Sequence, residues 1–305
     1  NSLSLGVWRL NLLAKYCMMD LYLTSLLEEL GFKPRDSTDV DLLNVASAAI
    51  STEGFLGFYN TFAKHYSESL SNLKYEEFAN RTNRATLPLE SEKETSFYNA
   101  AYGLQHYLTF TKVLNDNFFI DTSDDYNVYN IVDYGCGQGI ATIALLDFIA
   151  KQKKHKIHLN IHLIEPSAIS INNAAYLITL FAFKHSISIN ISTHTYKLAN
   201  INLNLHPFAD MTLHLMSYIL DVKEIQKDIP FLAKNIINEA QPQILIATCP
   251  KYPRAYEGFN KLFKALFANG QPNIIESDIP HYSYRITKGV YQKEVAKTIS
   301  MILAF

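Results

Sequence analysis

The run Asp133-Tyr134-Gly135-Cys136-Gly137-Gln138-Gly139 limits what this chain can fold into more than any other segment. Asn130-Ile131-Val132 enters it with the character of a buried strand, and Ile140-Ala141-Thr142-Ile143-Ala144-Leu145-Leu146 leaves it as a helix. Glycine is scarce, 11 in 305 residues, so three at alternate positions carry weight. Glycines let such a turn take positive φ and remove the side chains that would hold a ligand off the backbone. The helix start adds oriented N–H groups. Two common phosphate-binding turns do not fit. A P-loop needs Gly-Lys-Ser/Thr, which is absent, and the GxGxxG dinucleotide fingerprint meets Ile140 at its last position. That position disfavours an NAD-dependent oxidoreductase.

Two rhythms surround the loop. Residues 1–118 read as helical, with apolar residues at three- and four-residue spacing over 3–30, 39–50, 55–73 and 91–118. Gly31 is a C-cap candidate for the first helix, and Ser91-Glu92-Lys93-Glu94 resembles a capping box for the last. The polar break Asp121-Thr122-Ser123-Asp124-Asp125 is the best linker candidate. Beyond it, strands are predicted at 128–134, 157–164, 186–193, 210–217, 243–249, 273–278 and 298–305. Helices are predicted at 140–152, 168–185, 222–239 and 254–269. Strands alternating with helices imply βαβ units and a mostly parallel α/β sheet of seven strands. Ligands of such sheets bind outside the carboxyl ends of the strands. The expected division is a helical cap or substrate-selecting region over 1–118 and the sheet domain over 119–305.

Composition removes several classes. Hydrophobic residues make up 48% and charged residues 18%, an ordinary globular balance. The formal net charge is -2, so no global basic excess favours nucleic acid. Cys17, Cys136 and Cys249 form neither a disulfide framework nor a CxxC pair. No metal site is expected, and a reducing, cytoplasmic location is. No run of 18 apolar residues suggests a membrane span, and the apolar start lacks the order of a signal peptide. The residues leave the oligomeric state open.

The Asp-x-Gly-x-Gly-x-Gly form, closing a strand and opening a helix, resembles motif I of the class I S-adenosylmethionine-dependent methyltransferases. The resemblance spans residues 128 to about 250 and implies a Rossmann-like methyltransferase sheet behind the N-terminal helical cap. It implies S-adenosyl-L-methionine as cofactor, with Asp133, Gly135, Cys136, Gly137 and Gly139 along its methionine and ribose. Glu165 and Pro166, in His162-Leu163-Ile164-Glu165-Pro166-Ser167 at the end of strand two, are implied on the ribose hydroxyls. Strand three ends Ser192-Thr193-His194-Thr195-Tyr196, with no acid for the adenine amino group, so Thr193 is only a weak candidate there. Met216 and Ser217 close strand four, beside the methyl donor. Weaker substrate candidates are Tyr218, Tyr252 after strand five, and Tyr98, Tyr102 and His106, which share a face of the helix before motif I. No catalytic residue is assigned. His214 reads as a strand residue among apolar neighbours, and Cys249 has no basic partner in sequence. The resemblance implies methyl transfer to a small molecule or metabolite by in-line displacement, aided mainly by positioning. A helical cap before a core with Gly-Gln-Gly and Glu-Pro-Ser also resembles bacterial GRAS-type proteins, which implies the alternative of a non-catalytic regulatory or ligand-binding protein.

Overall fold

A computed structural model describes residues 38–68, 75–118, 126–152, 156–196, 198, 201, 203–237, 241–267, 269–285 and 290–305. The helix expected over 3–30, Cys17 and the linker at 121–125 lie outside the described residues. Before the sheet come α1 (Thr38–Glu68), α2 (Tyr75–Arg81), α3 (Glu92–Tyr98), a π turn (Asn99–Gly103) and α4 (Leu104–Asn117). Then follow β1 (Tyr126–Tyr134), α5 (Ile140–Gln152), β2 (Lys156–Ile164), α6 (Ala168–His185), β3 (Ser188–His194), β4 (Met211–Ser217), α7 (Lys223–Ile237), β5 (Gln243–Pro250), α8 (Pro253–Leu266), β6 (Ile275–Arg285) and β7 (Val290–Ala304).

The strands form one seven-stranded sheet in the order β3-β2-β1-β4-β5-β7-β6. The first five pair in parallel, whereas β7 runs antiparallel to both β5 and β6. Strand order reverses direction between β1 and β4, which opens a crevice at their carboxyl ends. Register fixes what meets there. Asp133 lies opposite Leu163 on one side and Leu215 on the other, and Ile164 lies opposite His194.

Burial follows layer position. Ile131, Val132, Leu159, Ile161, Leu163, Leu213 and Leu215 are at most 1% exposed, as befits central parallel strands covered on both faces. The edge strand β3 instead alternates between half-buried and exposed. Helix α5 is buried almost all round, flanked by α4 on one side and α6 on the other. Helix α4, supplied by residues that precede β1, reaches β6 and β7 directly, so the helical cover of the sheet on this side continues past α5.

Several boundaries differ from expectation, each for a local reason. The helices expected at 39–50 and 55–73 run together as α1 across a kink at Gly54 (φ 66, ψ -147), where Lys184 Nζ donates to Ile50 O at 2.7 Å. Residues 69–73 lie outside the described part. The helix expected at 91–118 begins as read, with Ser91 Oγ accepting from Glu94 N at 3.2 Å, but the π turn interrupts it. Helix α2 is anchored by the buried Phe78, the one buried apolar side chain among its described ones, and so has little periodicity to read. The last two strands are longer than predicted because all of β6 pairs with the first part of β7, from Ile275 opposite Ser300 to Arg285 opposite Val290.

Candidate functional site

The glycine loop crosses the crevice with Gly135, Gly137 and Gly139 at φ 60, 52 and 72. Two of them do different work. A Cβ on Gly139 would stand 2.8 Å from Ile178 Cδ1 and 3.1 Å from Ala174 Cβ, so this glycine lets α6 close against the loop. A Cβ on Gly137 would meet only the Tyr98 hydroxyl, at 3.9 Å, and would otherwise enter open space. Gly137 therefore keeps backbone available to whatever occupies that space.

Glu165, the residue after β2, reaches back to this loop. Its Oε2 accepts from Gly137 N at 3.1 Å and its Oε1 from Ser167 N at 3.0 Å, while Glu165 N donates to His194 O at 3.1 Å. Burial raises the Glu165 pKa against the pull of those two amides. Asp133 sits behind the loop, 1% exposed. Its Oδ2 accepts from the Thr142 hydroxyl at 2.7 Å, and its Oδ1 has no partner among the described residues. Burial lifts its pKa to about 7, with the neighbouring Glu165 adding to the rise.

The helices before the sheet contribute a ring cluster. The Tyr98 hydroxyl bonds His106 Nδ1 at 3.1 Å, and the His106 ring stacks on Tyr218 at 3.8 Å. Tyr102 packs edge-on against Tyr98. Burial lowers the His106 pKa to about 3, so the imidazole is neutral, and burial raises the phenols of Tyr98 and Tyr218. Tyr218, one residue past β4, holds φ 61, a left-handed conformation that costs a non-glycine residue energy. It is fixed there by its own N–H to Thr248 O at 2.8 Å and by its hydroxyl to Thr109 at 3.0 Å and Gln105 at 3.3 Å.

These parts enclose a cleft of about 320 Å³. Gly135, Gly137, Glu165, Pro166, Ser217, Tyr98 and Tyr218 line it, which brings together seven residues singled out in the sequence. Cys136 and Gly139 belong to the loop without lining the cleft. Met216 is buried in the core, where burial also keeps the Cys136 and Cys249 thiols protonated by pushing their pKa values up. Thr193 is exposed on the edge strand, Tyr252 is 59% exposed before α8, and Tyr102 stands behind Tyr98; none of the three lines the cleft. His214 is a buried strand residue bonded to the Tyr134 hydroxyl at 3.0 Å and to Gln243 at 2.9 Å.

Other lining residues were not singled out in the sequence. Gln138 is 1% exposed, and neither its Nε2 nor its Oε1 has a partner among the described residues; the Ser217 hydroxyl is likewise unpartnered. Buried polar atoms are usually paired, so such atoms beside a cleft point to a ligand or ordered water. Tyr196, Leu198, Val222, Glu224, Ile225 and Asp228 form one side, and residues 85–89 form another. That last wall begins at the end of three successive left-handed residues, Asn83, Arg84 and Ala85 at φ 46, 57 and 63. It is clamped by Leu87 N to Thr82 O at 3.0 Å and by the Ser167 hydroxyl to Leu89 O at 2.6 Å. The lining includes the carboxylates Glu165, Glu224 and Asp228 and, among the described residues, no Lys, Arg or His. No cluster of three potential metal ligands occurs among the described residues, and no described helix is long and apolar enough to cross a membrane.

S-adenosylmethionine fits this donor set. Glu165 offers acceptors for a ribose at the end of β2, the bare backbone at Gly137 admits close approach, and a cleft lined by carboxylates suits a positively charged ligand.

No protein-family model matches the chain, and no curated protein does. Among solved structures, the chain is similar to the small RNA methyltransferase HEN1 at 15% identity and TM-score 0.41, over 65% of this chain and 25% of that one. It is also similar to a Listeria monocytogenes chain assigned to the class I S-adenosylmethionine-dependent methyltransferases, at 12% identity and TM-score 0.38 over 87% of each. A third is the geranyl diphosphate C-methyltransferase of Streptomyces coelicolor A3(2), at 11% identity and TM-score 0.36 over 80% of this chain and 97% of that one. The chain spans a quarter of the HEN1 chain. At such distances it is the strand order, with β7 antiparallel between β5 and β6, that identifies the fold as the Rossmann-like methyltransferase fold.

Proposed function

We propose that the cleft binds S-adenosyl-L-methionine and that the chain is a methyltransferase of the cytoplasm acting on a small molecule or metabolite. The observation that carries this reading is Glu165, the acid that ends β2, held by Gly137 N–H of the glycine loop in a cleft whose floor is that same loop. An acid so placed accepts two hydrogen bonds from a vicinal diol, while the loop takes the part of the ligand beyond the sugar. The helical segments before β1 have the substrate-selecting role, through Tyr98 and residues 85–89.

When bound, the cofactor supplies an electrophilic methyl group on a sulfonium. The work left to the chain is to orient donor and acceptor and to exclude water. Glu165 orients the sugar, the Tyr98 and Tyr218 rings close the cleft on the side of β4, and Leu87 and Pro88 shield it from solvent. His106 is a weak base, because burial takes its pKa to about 3 and its Nδ1 already faces the Tyr98 hydroxyl. An acceptor that is already nucleophilic is therefore favoured. The same weakness favours, as the second reading, a non-catalytic GRAS-like binding protein on this fold.

Titration calorimetry with S-adenosylmethionine and S-adenosylhomocysteine tests the reading. Wild type should bind both, and Glu165→Ala should weaken them by at least about tenfold, the scale of one lost charged hydrogen bond. Binding that ignores the substitution would remove Glu165 from the site. Release of S-adenosylhomocysteine over a panel of amines, phenols and thiols then separates enzyme from binder.

A further inference from the structure

The segment after β3 carries no acid to receive the amino group of a purine, but α7 carries one. Beyond β3, Leu198 and Ile201 belong to a strap that shares an apolar core with Ile229, Leu232 and Ile236 of α7. Tyr196 and Leu198 line the cleft from this strap, and Val222, Ile225 and Asp228 line it from the helix side. Farther along, Asn235 Nδ2 donates to Ile201 O at 3.1 Å, which ties strap and helix together. Tyr196 is 50% exposed, so its ring is available to a ligand. Asp228 is half-buried, whereas Glu224, one turn earlier on the same face, is exposed. Neither carboxylate has a hydrogen-bond or ion-pair partner among the described residues. Independent marks of a ligand lie in the same cleft, in the unpartnered amide of Gln138, which is 1% exposed, and the unpartnered Ser217 hydroxyl. An aromatic ring, aliphatic walls and a free carboxylate at the edge together suit a planar heterocycle that carries an amino group.

We propose that Asp228 selects the base of the cofactor by accepting a hydrogen bond from the exocyclic amino group of adenine, with Tyr196 and Ile225 against the ring. This rests on the reading of the cleft as an S-adenosylmethionine site. It assigns base recognition to α7 rather than to the residues that end β3.

The test uses calorimetry on the full chain with two probes, S-adenosylhomocysteine and its analogue whose purine lacks the 6-amino group. Wild type should prefer the amino form by about tenfold. Asp228→Leu should lose that preference by weakening the amino form alone, Asp228→Asn, which keeps a carbonyl acceptor, should restore most of it, and Glu224→Leu should leave it intact. Tyr196→Ala should weaken both probes alike. Circular dichroism and thermal melts of each apo variant separate lost binding from lost folding, with Asp228→Asn as the isosteric check. If wild type binds neither probe, the cofactor reading itself fails. If wild type binds both without preference, if Asp228→Leu keeps the preference, or if Glu224→Leu abolishes it, the assignment of Asp228 is overturned while the cofactor reading stands.

Discussion

Asp133 is nearly inaccessible, and its pKa is lifted to about 7 because burial disfavours the charge more than the Thr142 hydroxyl stabilises it. The linkage follows directly. Between roughly pH 4 and pH 7 the unfolded chain has released this proton and the folded chain has kept it, so stability falls as pH rises through that window. Asp133→Asn should flatten this part of the stability profile, measured by urea unfolding at pH 5 and pH 8, and should stabilise the apo protein more at pH 8 than at pH 5. The opposite ordering would show that the acid is better solvated than its burial indicates. The glycines allow a sharper contrast. Gly139→Ala meets both positive φ and a contact at 2.8 Å, and should cost on the order of 2 kcal/mol or more of stability. Gly137→Ala meets open space and should cost about 1 kcal/mol, yet weaken S-adenosylhomocysteine disproportionately because its methyl enters the cleft. Equal stability losses in thermal melts would remove the distinction. The importance of this loop was legible in the sequence, since three closely spaced glycines after an apolar strand have few uses. The unpartnered Gln138 amide was not, because burial of a loop side chain depends on what packs above it, and that comes from elsewhere in the chain.

Elements with strong periodicity or continuous apolar runs, from β1 through α8, came out within a few residues of their predicted ends, as expected where core packing and local preference agree. Length was misread where cross-strand pairing extends a strand, as in β6 and β7. Helix α8 shows how an element far from the glycine loop still shapes the cleft. Its Gly258 lies so close to the turn after β4 that a Cβ would stand 1.9 Å from Leu220 O. Gln226 Nε2 bridges the same place, donating to Leu220 O at 2.8 Å and Arg254 O at 2.9 Å. Gly258→Ala must therefore push α8 away and pull on Tyr218 and Ile219. It should destabilise the protein by a few kcal/mol, the range of severe overpacking, and weaken cofactor binding in whatever fraction remains folded. A melt within a degree of wild type would show that α8 can shift freely.

For the whole molecule, the fold was legible because alternating strands and helices leave few arrangements, while most of the cleft was hidden because its walls come from segments distant in sequence. Nothing local marks residues 85–89 or Asp228 as neighbours of Glu165; only the closed chain does so. Ligand binding should stabilise this assembly as a unit. S-adenosylhomocysteine at a hundred times its Kd should add about 2.7 kcal/mol and raise the melting temperature by several degrees, and NAD should not. An equal shift with NAD would reopen the dinucleotide reading. The wall at residues 85–89 has a consequence of another kind. It stands outside the strand–helix series, hung between a turn at Thr82 and the Ser167 hydroxyl, so its exposed side chains, Thr86, Leu87 and Pro88, can be exchanged without disturbing a single strand. A lineage built on this plan can change what the cleft admits by rewriting one short stretch of coding sequence while every strand stays as it is.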